Sequence, residues 1–201
     1  VRERGLGMQE ASEASPSGLV ALRADEDVAE AVCAAAREKT GGVCTVANLN
    51  APGQIVISGD DASLEAAQGA AKGHGIRRTT RLPVAGAFHS PLMAQGAERL
   101  AAALEGVTVH APRVPVISNV TAQGTTDPDV IRANLVAQVT SPVRFVDCVK
   151  AGKTLGVATT VEVGPGKVLS GLTRRIESDI DTFSVESAEA LSALDLTASK
   201  D

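Results

Sequence analysis

The sequence contains no tryptophan and no tyrosine, and only three phenylalanines among its 201 residues. Its core must therefore be aliphatic, and a surface that stacks nucleobases on aromatic rings is excluded. Basic charge is also short: the net charge is -5, and no Lys/Arg stripe exists to neutralise phosphates, which argues against a nucleic-acid partner. No apolar run approaches the ~20 residues that cross a bilayer, and the first residues lack a basic-then-apolar leader pattern, so no membrane partner is expected. Cysteine is scarce. Cys33, Cys44 and Cys148 are odd in number and show neither CxxC nor Cys/His ligand spacing, so neither a disulfide framework nor a zinc site is suggested; buried thiols in a reducing cytoplasm fit best, with a single reactive cysteine as the alternative. No GxSxG nucleophile elbow occurs either.

What is present is a 44% apolar chain, enough to fill a core. "VRERGLGMQEA" reads as a helix without a start signal, and the chain is expected to be the downstream part of something longer. From Ser17 to Val84 the pattern is regular. "GLVALRA" alternates as a strand, and a helix capped by Asp25 or Asp27 carries Val28, Ala31, Val32 and Ala35 before Gly41 and Gly42 stop it. "VCTVANLN" and "QIVISG" are strands around a turn with Pro52 and Gly53 at its centre. A helix from about Asp61 and a strand in "IRRTTRLPVA" complete a β-α-β-β-α-β order, the signature of a ferredoxin-like module.

After Val84 longer helices alternate with short apolar strands, which predicts an α/β layer with some parallel pairing. Ser90 and Pro91 start one helix; "VPVISNV" reads as a buried strand; "DPDVIRANLVAQV" and "SPVRFVDCVKAGKTLG" read as helices with Asp-Pro and Ser-Pro starts. "ATTVEVGPG" is a strand entering a tight turn, and "KVLSGLTRRIES" a helix. Gly164–Gly166 lacks phosphate-loop spacing. A short helix is expected after Ser187.

"VAGAFHSPLM" places His89 where an extended run gives way to a helix. The positive end of that helix disfavours imidazolium, so a neutral ring able to take a proton is expected, as a general base requires. A helix-entry histidine bonded to local backbone is the alternative. Ser90 is a poor nucleophile beside it, because its hydroxyl is wanted for the cap.

Six stretches in order, "RGLGMQEA", "VANLNAPGQIVISG", "LPVAGAFHSPLM", "PVISNV", "QVTSPVRF" and "VEVGPGKVLSGLTRRI", resemble the C-terminal two-thirds of the bacterial malonyl-CoA:acyl carrier protein transacylases. The resemblance implies an α/β fold in which residues 17–84 form a ferredoxin-like subdomain, inserted in an α/β-hydrolase-like acyltransferase subdomain that supplies residues 1–16 and 85–201. It implies a ping-pong transfer of malonyl from malonyl-CoA to acyl carrier protein in fatty-acid biosynthesis. His89 matches the catalytic base, Arg4 the residue that holds the malonyl carboxylate, and Gln138 the residue whose carbonyl receives the Nδ1 proton. Asn48, and less closely Asn50, matches a pocket asparagine. Phe88 lies in a "GAFH" stretch resembling the "HAFH" form linked to malonyl selection, with Gly86 at the position of the first histidine.

The family's serine lies in a GHSxG elbow upstream of the arginine-bearing helix, so these 201 residues are expected to be inactive by themselves. No metal or other cofactor is implied, and the complete enzyme is expected to be a cytoplasmic monomer. Lys167, Arg174 and Arg175 form one candidate docking cluster for the acidic carrier, and Arg77, Arg78 and Arg81 another. Alternatives are a polyketide synthase acyltransferase domain and a non-catalytic ferredoxin-like module with a structural His89.

Overall fold

A computed structural model describes residues 1–194; the last seven residues of the expected 85–201 unit lie outside the described residues. Helix α1 (Arg2–Ala14) leads into β1 (Ser17–Leu22), α2 (Glu26–Thr40), β2 (Cys44–Ala51), β3 (Gln54–Asp60), α3 (Asp61–Ala71) and β4 (Thr79–Arg81). The four strands form one antiparallel sheet in the order β2-β3-β1-β4. Local signals set it up. Asp60 accepts the Ser63 N–H at 2.8 Å to cap α3, Gly41 ends α2 in the left-handed conformation, and Gly53 at φ 69° closes the two-residue turn between β2 and β3; such a φ is cheap only for glycine.

One face of the sheet contributes Val20, Leu22, Val46, Ile55 and Ile57 to a core with Val32, Cys33 and Leu64 of α2 and α3. The other face carries a smaller cluster, Leu19, Ala47 and Val56, against which Phe88 packs. Phe88 also packs on a third cluster formed by Met8, Ala11, Met93, Leu100 and Val139, so its ring joins the sheet to the helices beyond.

Those helices differ in detail from the sequence reading. Ser90 does cap, accepting the Leu92 N–H at 3.3 Å, but it opens a short 3₁₀ turn, Pro91–Met93, before α4 (Ala94–Glu105). "VPVISNV" is not a buried strand: only β5 (Val116–Ile117) is extended, paired with β6 (Gly124–Thr125), and Val114 is 70% exposed because no other described strand covers it. Helix α5 (Pro128–Ala137) starts at Asp127 as expected. The Ser-Pro start fails. Helix α6 begins only at Phe145 (Phe145–Thr154), because Val143 is drawn into backbone bonds with β2, donating to Ala47 O at 2.8 Å and accepting from Leu49 N at 2.9 Å. Strands β7 (Thr159–Val163) and β8 (Asp181–Val185) pair in parallel around α7 (Val168–Ile176), and α8 (Ala188–Ser192) is the short helix expected after Ser187.

Candidate active site

His89 sits in the turn before the 3₁₀ segment with φ 59°, a left-handed backbone that costs a non-glycine residue energy and is found disproportionately at functional sites. The turn is pinned on each side. The Ala87 N–H donates to Ser17 Oγ at 3.2 Å, and the Ser90 hydroxyl, fully buried, donates to Ala87 O at 2.6 Å. That hydroxyl is thereby committed to the turn.

The His89 ring lies with Nδ1 at 2.9 Å from the backbone carbonyl of Gln138. A carbonyl can only accept, so Nδ1 donates and Nε2 keeps its lone pair. Gln138 is itself held: it is the C-cap of α5, and its side-chain amide donates to Ser141 O at 2.9 Å and Pro142 O at 3.3 Å. The turn after α5 and the bridge from Val143 to β2 therefore fix the carbonyl that orients the ring. Burial, above all, pushes the His89 pKa below its ordinary value; the carbonyls of Gln138 and Ser141 oppose this, and the positive charge of Arg4 assists it. The downward shift goes in the direction expected from the sequence, with desolvation as its main cause.

His89 opens into a cleft of about 430 Å³ whose other walls include Thr45, Val46, Leu49, Pro91, Thr140 and Pro142, with Glu26, Asp27 and Glu30 at its α2 side. Arg4, on α1, does not line this cleft, although its charge acts on the His89 ring. It is half-buried, and among the described residues it has no hydrogen-bond or ion-pair partner, unlike Arg99, which bonds Glu3 at 2.8 Å and Glu10 at 2.5 Å on the same helix. Asn48 sits at the β2 irregularity that bridges to Val143, with Asn50 two residues on; neither lines the cleft. Phe88 does not line it either, its ring being used between the two clusters. Gly86 has a steric reason to be glycine: a Cβ there would come within 2.0 Å of Ser12 Oγ.

The basic residues regroup. Arg175 crosses to the β2–β3 turn, bonding Gln54 Oε1 and, at 3.4 Å, Pro52 O. There it shares a cleft of about 980 Å³ with Arg77, Arg78 and Arg23, the last not singled out by sequence because it stands alone in the chain. Arg174 instead donates to Thr182 O at 3.0 Å, Arg81 pairs with Asp61, and exposed Lys167 is the N-cap residue of α7. The Gly164–Gly166 turn is no phosphate loop, since Glu162 already accepts the N–H groups of Leu169 and Ser170 at 3.0 and 2.7 Å.

Cys33 and Cys44 are buried free thiols and Cys148 is half-buried, with burial pushing the Cys148 pKa up to about 11. Among the described residues no group of three or more His, Cys, Asp or Glu side chains could hold a metal, and no helix is long and apolar enough to cross a membrane.

Comparison with known proteins sharpens the picture. The malonyl CoA-acyl carrier protein transacylase of Bacillus subtilis is 40% identical over 192 residues, covering 95% of this chain and 60% of that protein. The crystal structure of an acyl carrier protein S-malonyltransferase from Vibrio cholerae superposes with a TM-score of 0.89 at 38% identity, over 97% of this chain and 63% of that one. A malonyl-transacylase solved in complex with a type II polyketide acyl-carrier protein gives a TM-score of 0.85 at 34% identity, over 95% of this chain and 62% of that one. The chain thus spans about 60% of the length of the curated relatives it matches. The acyl transferase domain family matches residues 5–191, and the chain, with its mixed α/β fold, belongs to that family.

Proposed function

We propose that this chain carries the base and the acyl-carboxylate site of a serine transacylase that moves malonyl from malonyl-CoA to the phosphopantetheine thiol of acyl carrier protein. The observation that carries the reading is the His89–Gln138 couple at 2.9 Å, which leaves Nε2 its lone pair, together with an Arg4 that has no partner among the described residues and whose charge acts on the ring. Nε2 takes the proton of a serine hydroxyl as its oxygen attacks the thioester carbonyl; the C–O bond forms, the C–S bond breaks, and the proton passes to the departing thiolate of coenzyme A. In the second half Nε2 takes the carrier's thiol proton, sulfur attacks the ester, and the proton returns to the serine. Arg4 holds the far carboxylate of the malonyl group throughout, a task suited to the two parallel donors of a guanidinium. Neither metal nor redox cofactor is needed, and a cytoplasmic location goes with these substrates.

The nucleophile and the oxyanion donors are assigned to the upstream part of the family's length that this chain does not span. In that arrangement residues 17–84 are the inserted ferredoxin-like subdomain and the remainder belongs to the α/β-hydrolase-like one. Phe88 acts on acyl selection through the packing that fixes the His89 turn, and Asn48 by shaping the strand beside it. Carrier docking is assigned to the arginine cleft, where Arg175, Arg77, Arg78 and Arg23 present positive charge to an acidic partner; Arg174 and Lys167 of the expected cluster lie outside its lining. The likeness to a transacylase solved with its carrier supports this partner.

The test joins this chain to the upstream portion of the Bacillus subtilis relative and follows acylation with radiolabelled malonyl-CoA. His89→Ala is expected to slow acid-stable labelling at least ~100-fold, the low end of a general base's usual contribution; a rate within a few fold of the parent overturns the assignment. The 201-residue chain alone is expected to take up no label.

A further inference from the structure

Helix α1 approaches the His89 segment with unusual closeness at one point. A Cβ added to Gly7 would stand 2.9 Å from the Cα of Gly96 and 3.2 Å from its carbonyl oxygen. A Cβ added to Gly96 would stand 3.0 Å from the carbonyl carbon of Gly7 and 3.2 Å from the nitrogen of Met8. The two backbones therefore touch with no room for a methyl on either side.

The crossing has a direction. Arg4, Gly7, Met8, Ala11 and Ser12 recur at the spacing that lines one face of a helix; the last four are buried, and Arg4 ends the stripe half-buried. On the other side, Gly96 lies on α4, the continuation of the capped turn that carries His89. Met8 and Ala11 pack with Met93 and Leu100 around the contact, and Arg99 clamps α1 through Glu3 and Glu10. Arg4 stands one turn before the contact on α1, and His89 stands upstream of it on the partner segment.

We propose that Gly7 and Gly96 are positioning residues: their backbone contact sets the separation of the Arg4 guanidinium from His89, and with it the reach of Arg4 to the free carboxylate of an acyl group held against His89. The carboxylate rests on the transacylase reading above; the Arg4–His89 separation does not. A methyl at either glycine moves α1 away from α4 and carries Arg4 with it.

The titration of His89 reports this separation. The charged groups facing His89 are Arg4 from α1 and, across the cleft, Glu26, Asp27 and Glu30 from α2; the other lining residues, Pro91, Thr140 and Pro142 among them, do not ionise. Of these groups only Arg4 rides on the displaced helix, and its charge opposes protonation of the ring.

The experiment is an NMR titration of the His89 ring in this chain, resolved from the exposed His74 and His110. Gly96→Ala and Gly7→Ala are expected to raise the His89 midpoint in the same direction as Arg4→Gln and by no more than that substitution. In an Arg4→Gln background neither glycine substitution is expected to move it further. Gly5→Ala, on the same helix with nothing within 4 Å of the added carbon, is expected to leave it in place. An unchanged midpoint in the folded glycine variants, or a shift that persists without Arg4, overturns the proposal. Should neither variant fold, Arg99→Gln loosens the same crossing without adding atoms and is read in the same way. If the midpoints behave as expected but Arg4→Gln keeps the joined enzyme's preference for malonyl over acetyl thioester, the assignment of Arg4 to the acyl carboxylate fails and the positioning role stands.

Discussion

Between Ser17 and Arg81 the side chains of Val20, Val32, Ile57 and Leu64 are fully buried or nearly so, whereas between Val107 and Leu191 those of Val114, Leu155, Val163 and Val168 are all more than 60% exposed. The two regions use the same aliphatic residues and the same alternation of helix and strand. They differ in neighbours. The first closes a four-stranded sheet over two helices, while the second, among the described residues, pairs its strands two at a time, although parallel strands such as β7 and β8 are normally covered on both faces. Patterning decides which face of an element is apolar; a core exists only where another element comes to lie on that face.

Several changes sharpen the contrast. The largest effect is expected from Leu64→Ala, which empties a site in the closed core and should cost ~2–5 kcal/mol, whereas Val163→Ala should stay within about 0.5 kcal/mol; urea denaturation of both variants gives the comparison. Equal losses would mean that the second region is as tightly packed as the first.

Next comes Asp60→Ala. The carboxylate accepts from Val43 N at 2.6 Å and Ser63 N at 2.8 Å, and losing the cap should cost about 1 kcal/mol. Burial raises its pKa, but the bonds from Ser63 and Val43 together outweigh this and hold it below the ordinary 3.8. The contribution is therefore complete above that value and lost as the pH falls through the lower folded pKa, so Asp60→Asn should flatten the acid limb of stability between them.

His89 gives a smaller effect at milder pH. Its folded pKa lies below the ordinary 6.5, so the unfolded chain binds the proton first. Stability should decline as the pH falls from about that value toward the folded one and level off beneath it, a slope that His89→Asn removes.

The smallest change concerns salt. Lys153 holds α6 to Glu177 at 2.5 Å and Asp179 at 2.9 Å on the surface. At 1 M salt, where charges are screened over about 3 Å, amide exchange should quicken modestly near these residues and remain unchanged in β1 and β3.

The legible parts of the fold were those written in adjacent residues: the Pro52–Gly53 turn, the Asp127 cap of α5, the glycine that stops α2. Ser141 and Pro142 carry the same kind of local signal for a helix start, and it failed because a distant strand, β2, binds Val143 instead. Strand β8 is not legible because Asp181, Thr182 and Ser184 dilute its apolar alternation. At the site, the sequence isolated His89, and resemblance paired it with Gln138 and Arg4. Composition could not show that Arg175 joins Arg77, Arg78 and Arg23 while Arg174 and Arg81 turn to other partners. Nor could it show that burial pushes the His89 pKa down.

The left-handed backbone at His89 has an evolutionary consequence. Glycine occupies that conformation more cheaply than histidine, and asparagine about as readily, so replacing His89 by either should leave the fold intact while removing the base. A duplicated copy of this domain freed from selection for activity would therefore drift toward Gly or Asn at position 89 without a folding penalty. Among homologous domains, a stable protein bearing either residue there would mark a descendant that had kept the architecture and abandoned the chemistry.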